Sequence, residues 1–120
     1  MQRYYDVLLE EQRGPYTVIV DKTWEDIHPN DCFDESAYDM KEICRKIDQG
    51  LLDWFMLRCR VIYEGVELAS DYVGGFLYED AREILTDGVA EDVIDSTLDA
   101  ARVAAVAMKQ KFAQLEVDAA

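Results

Sequence analysis

Residues 53–73 read DWFMLRCRVIYEGVELASDYV, and the fold follows from how this stretch alternates. Phe55, Leu57, Cys59, Val61 and Tyr63 fall on one side of an extended chain, and Met56, Arg58, Arg60 and Ile62 on the other, the period-two pattern of a strand with one buried face. Glu64-Gly65 is a two-residue turn signal, and residues 66–73 supply the returning strand. The centre of the domain is therefore predicted to be an antiparallel hairpin. Gly74-Gly75 is expected to break the chain, and Tyr78 to Thr86 (YEDAREILT) to form a short helix.

A second hairpin precedes this one. Residues 4–11 (YYDVLLEE) and 16–22 (YTVIVDK) are rich in aromatic and branched residues and flank the turn signal Gln12-Arg13-Gly14-Pro15. Tyr5, Val7 and Leu9 are expected to share a face, as are Tyr16, Val18 and Val20. Residues 23–35 lack periodicity and contain Pro29, so they read as a loop. Ser36 is the expected cap of a helix in which Met40, Ile43, Cys44 and Ile47 make one apolar stripe. Glu42 and Lys46 would support it as an i, i+4 pair, and Gly50 would end it.

Asp87 is the expected N-cap of a last helix running from about Val89 to Leu115. Its residues Ile94, Leu98, Ala101, Ala105, Met108, Phe112 and Leu115 step 4, 3, 4, 3, 4, 3. That spacing fits a helix lying on a sheet and equally a homodimer seam. The predicted order is ββαββαα: a single α+β domain over residues 1–120, two-layered, with a four-stranded antiparallel sheet and helices on one face.

The 120 residues carry 26 acids against 12 bases, a net charge of −14. Binding to nucleic acid or to anionic lipid requires clustered Lys and Arg, so direct nucleic-acid and membrane partners are disfavoured. A basic partner surface is favoured; the alternative is that the acids serve solubility. The N-terminus lacks the apolar segment of a signal peptide, and the longest apolar run, Val103 to Met108, is too short to span a bilayer. Cys32, Cys44 and Cys59 are an odd number without paired spacing, which suits reduced thiols in a cytoplasm.

The negative charge is concentrated. Residues 21–40 hold seven acids and one base, and residues 64–99 hold eleven acids and one base. Glu79, Asp80, Glu83, Asp87, Glu91, Asp92, Asp95 and Asp99 run through the two final helices and their junction. Asp92, Asp95 and Asp99 share a helix face, and with a rise of about 5.4 Å per turn such a row resembles a phosphate row to a basic groove. The competing account is a helix that satisfies its own dipole; it covers Glu91 and Asp92 better than the rest. Trp24, with Glu25 and Asp26, forms a second candidate contact: an aromatic anchor among acids, or a half-buried ring covering the sheet edge. Trp54, opening the third strand, is expected in the core.

Catalytic chemistry finds no footing. His28 is the only histidine. With Cys32 it could suggest a zinc site or a nucleophilic pair, but Cys44 and Cys59 lack zinc-ligand spacing. Residues 30–35 lack the calcium-loop pattern, and Gly74-Gly75 lacks the phosphate-loop pattern. An enzyme built on His28 and Cys32 is the last-ranked reading, and no cofactor or metal is expected.

Three stretches, YYDVLLEEQ at 4–12, KEICRKIDQGLLDWFML at 41–57 and GVELASDYVGGFLYEDAREIL at 65–85, together resemble small acidic proteins of bacteriophages and other mobile elements, the group that includes anti-CRISPR proteins. The resemblance covers about half the chain and transfers no functional residue, since such inhibitors share no signature. It implies a non-enzymatic inhibitor in the bacterial cytoplasm. Such an inhibitor would dock on a CRISPR–Cas effector or another host nuclease complex, on the surface that normally holds DNA. The expectation is a protein that binds a basic, nucleic-acid-binding surface as a DNA mimic; the alternative is a homodimeric structural or regulatory protein joined through its C-terminal helix.

Overall fold

The computed structural model describes residues 3–119. Four strands, β1 (Asp6–Arg13), β2 (Tyr16–Trp24), β3 (Asp53–Tyr63) and β4 (Val66–Tyr78), form one antiparallel sheet in the order β1-β2-β3-β4. Helix α1 (Met40–Asp48) lies between the hairpins and α2 (Val89–Ala119) follows them. The α+β class, the two hairpins and the bounds of β3 agree with expectation. Glu64 and Gly65 both take positive φ, 48° and 78°, the geometry whose twist matches the strands it joins.

Alternation decides what is buried. Val18, Val20, Phe55, Leu57, Cys59 and Val61 are fully covered and pack with Ile84, Ala90, Ile94, Leu98 and Ala101 in one core beneath α2. The other sheet face carries Ile19, Asp21, Thr23, Met56, Arg58 and Arg60. There Asp21, 1% exposed, accepts from Arg58 Nε and Nη2 at 2.8 and 2.6 Å, with Arg60 Nη2 at 3.7 Å. Tyr5 lies over the Arg58 guanidinium, its ring centre 3.5 Å away.

Several local expectations are corrected. The register of β1 slips between Val7 and Leu9, so Tyr5, Val7 and Leu9 do not share a face: Leu8 and Leu9 both pack on the core while Val7 is exposed. Asp39, not Ser36, caps α1 by accepting from the Glu42 N–H at 3.3 Å; Ser36 is held instead by Asp34. Glu42 pairs with Arg45 at i, i+3 rather than with Lys46. Gly50, at φ 74°, follows the helix end as expected.

The glycines do not break β4. The strand runs through Gly74-Gly75, where the register shifts between Phe55 and Leu57, a bulge that absorbs the extra residue. The Glu25 carboxylate sits where a Gly74 side chain would be, and its Oε2 accepts the Gly75 N–H at 2.8 Å. Above this bulge the loop after β2 folds onto Trp54: the indole donates to the Ile27 carbonyl at 2.9 Å and meets the Phe33 ring at 5.7 Å. Trp54 is thus half-buried under a loop rather than in the main core.

Candidate functional site

The expected helix at Tyr78–Thr86 is a 3-10 turn, Ala81–Leu85. Asp80 caps it, its carboxylate accepting from the Arg82 N–H at 3.0 Å. Ala81 and Ile84 point inward to the same core as Ala90 and Ile94, so the turn and the start of α2 are locked together. Glu79, Asp80, Glu83, Asp87, Glu91, Asp92, Asp95 and Asp99 are all exposed here, with Arg82 exposed among them. Glu79 precedes the turn, Asp80 caps it, Glu83 lies on it, Asp87 lies in the junction, and Glu91, Asp92, Asp95 and Asp99 lie on α2.

Asp87 is not the N-cap itself. Gly88 occupies that position at φ 95°, and its carbonyl accepts the Asp92 N–H at 3.1 Å. Asp87, one residue earlier, accepts from the Val89 N–H at 3.0 Å and from the Tyr78 hydroxyl. Those two donors hold its carboxyl below the usual range, with Tyr78 the larger cause.

The eight acids divide by their partners. Glu91 is gripped by Arg13, whose Nη1 and Nη2 donate at 2.7 and 2.9 Å; this fork holds the Glu91 carboxyl below its ordinary value. Asp99 pairs with Arg102 at 2.9 Å. Asp80 and Asp87 spend an oxygen on backbone amides. Glu79, Glu83, Asp92 and Asp95 have no ion pair among the described residues. A basic residue 78 positions before Glu91 is not a signal that helix periodicity can supply, whereas Asp99 and Arg102 stand at the i, i+3 spacing that it does supply.

The second candidate cluster has a different character. Trp24 ends β2, an interior strand, so it covers the end of the sheet and not its edge. It is 41% exposed. Its indole donates to Asp26 at 2.7 Å, and Arg3 stacks 4.4 Å from the ring centre while donating to the Trp24 carbonyl and to Asp26. Arg3 lowers the Asp26 pKa, chiefly through that hydrogen bond. Glu25 turns inward to Gly75 and Ile27. Of Trp24, Glu25 and Asp26, Glu25 is thus committed to the fold, Asp26 is paired with Arg3, and the Trp24 ring stays exposed.

His28 also serves the fold. Its Nδ1 accepts from the Asn30 N–H at 3.1 Å and caps the short 3-10 turn Pro29–Asp31. No group of three or more His, Cys, Asp or Glu side chains among the described residues is arranged to hold a metal ion. No helix among them is long and apolar enough to cross a membrane. Compared with protein-family models, curated proteins and solved structures, the chain matches none.

Proposed function

We propose that this protein is a non-enzymatic inhibitor that presents Glu79, Glu83, Asp92 and Asp95 to a Lys/Arg-rich surface built to hold nucleic acid, in a CRISPR–Cas effector or another host nuclease complex. The observation that carries this reading is the absence, among the described residues, of ion pairs for these four carboxylates, three of them on two elements fixed to each other through Ile84 and Ile94 and Glu79 just before the first. Fixed charge is worth more to a partner than mobile charge, because little side-chain and loop entropy is lost on docking. An acidic face of this kind steers encounter with a basic groove and sets the register of docking. Asp92 and Asp95 lie about one helical turn apart, roughly 5 Å along the axis, close to the scale of a phosphate row.

The test is competition. The protein is titrated into purified CRISPR–Cas effector complexes bound to labelled duplex DNA, at several salt concentrations. Displacement that weakens as salt rises is expected. Glu79→Gln, Glu83→Gln, Asp92→Asn and Asp95→Asn together should slow association by roughly tenfold or more and flatten the salt dependence. A neutralised variant that displaces DNA as well as the parent would overturn the reading.

A further inference from the structure

Helix α2 outruns the sheet it lies on. Ala101, 0% exposed, is its last buried residue, yet the helix continues to Ala119. The apolar seam continues with it: Phe112 is 61% and Leu115 62% exposed. Met108, Lys109, Phe112 and Glu116 line an open groove with Tyr63 and Leu68 from the β3–β4 hairpin, and Leu115 lies outside its lining.

We propose that a second copy of this chain lays the end of its own α2 antiparallel along this seam, beside the groove, with Phe112 against the partner's Leu115 and Leu115 against the partner's Phe112.

Charge selects this occupant and this register. In the heptad frame set by Leu98, Ala105 and Phe112, the residues beside the seam are Lys109 and Glu116 on one flank, and Lys111 and Asp118 on the other. Each opposite-charge pair is seven residues apart, too far for an intrahelical ion pair, which needs a spacing of three or four. None of the four has a salt-bridge partner among the described residues. An antiparallel copy in the stated register sets Lys109 beside the partner's Glu116 and Lys111 beside the partner's Asp118, and by symmetry makes four complementary pairs. Flanking charges of this kind fix orientation in helix pairs.

The rival arrangements fail on the same observations. Sliding the copies one heptad deeper sets Lys109 against the partner's Lys109 and Lys111 against the partner's Lys111, and pushes the helix end toward Ala101, which the sheet already covers. A parallel pair would carry the partner's helix alongside Ile94 and Leu98, into the volume of the sheet. The antiparallel pair also places the two acidic bodies at opposite ends, where screening over a Debye length of roughly 8–10 Å removes their repulsion. The seam is short, at the small, transient end of interface sizes, so the dimer belongs to high protein concentration.

Sedimentation equilibrium of the full chain, from micromolar to millimolar concentration, tests this. The mass should rise from 13.8 kDa toward that of a dimer. Small-angle scattering of the dimer should give a particle much longer than the 66 Å monomer. Lys109→Glu with Lys111→Glu, and separately Glu116→Lys with Asp118→Lys, should each weaken self-association roughly tenfold or more. Mixing the two variants should restore it. Phe112→Asp should abolish it with the circular dichroism of the fold retained. A mass of 13.8 kDa throughout would overturn the proposal and leave the groove to a different protein. Dimers indifferent to both charge reversals would overturn the register.

Discussion

Arg58 of β3 closes a two-pronged hydrogen bond on Asp21 of β2, directly opposite in the register. Asp21 is buried on the sheet face that α2 leaves uncovered, where Arg58 forks onto it and Arg60 stands behind. The same bonds hold the Arg58 guanidinium well above its ordinary pKa. Removing one partner strands the other. Asp21→Ala should therefore cost about 3 kcal/mol, the lower end of the range for breaking a buried pair, since Arg58 retains some solvent contact. Urea denaturation checks this. Combining it with Arg58→Leu should cost much less than the two changes summed, the mark of a coupled pair.

The acidic loop is fastened by Glu25. Its carboxylate fills the space above Gly74 and accepts the Gly75 N–H. A methyl group added at Gly74 would overlap Glu25 Oε2, so Gly74→Ala must expel the carboxylate. Gly74→Ala and Glu25→Ala should destabilise by similar amounts, about 1–3 kcal/mol for an amide left unpaired. The double variant should be scarcely worse than either alone. Additive losses in thermal melts would show that the two residues act separately.

What the sequence makes legible divides along physical lines. The inward row from Phe55 to Val61 announces itself because a strand's period is local. The exposed position of Asp95 is legible because a helix's period is local as well. The Gly74-Gly75 bulge reads as a break because the residue that fills it, Glu25, is 50 positions away. Asp39 replaces Ser36 as cap because Ser36 sits in a separate turn, closed by the Ala37 and Tyr38 amides on the Asp34 carbonyl, so the helix starts only after Asp39. Which acids are neutralised depends on Arg13 reaching Glu91 and Arg3 reaching Asp26, contacts that tertiary packing creates.

Tyr78 and Asp87 make stability depend on pH in two directions. Burial, then the hydrogen bond to Asp87, pushes the Tyr78 hydroxyl from 10.0 up to about 12. A raised pKa in the fold means the contribution is intact below about 10 and lost as pH climbs toward 12. The Asp87 carboxyl is lowered from 3.8, so its share is intact above that value and lost as pH falls through the lower folded value. Tyr78→Phe should flatten the alkaline limb and weaken the acid one. Melting temperature against pH measures both, and ultraviolet titration should find one tyrosine ionising late.

The three thiols should react in order of access. Cys32 is exposed, Cys44 partly covered and Cys59 buried in the core; burial raises the Cys59 pKa and keeps it as the unreactive thiol. An aromatic disulfide reagent should label Cys32 first, then Cys44, and Cys59 only on unfolding. Early labelling of Cys59 would contradict the packing of β3 beneath α2.

The unpartnered acids bear on a last expectation, which separates function from stability. If Glu79, Glu83 and Asp95 served the fold, neutralising them would weaken it. They make no ion pair among the described residues, and they sit in a chain of net charge −14, where like-charge repulsion opposes compactness. Glu79→Gln, Glu83→Gln and Asp95→Asn together should leave the melting temperature unchanged or raise it, most visibly at low salt, where repulsion is least screened. Glu91→Gln should do the reverse, because it releases Arg13 from its fork. Acids that cost the fold stability while remaining exposed would support the proposed binding surface. A triple variant that melts lower than the parent would show instead that these acids stabilise the fold.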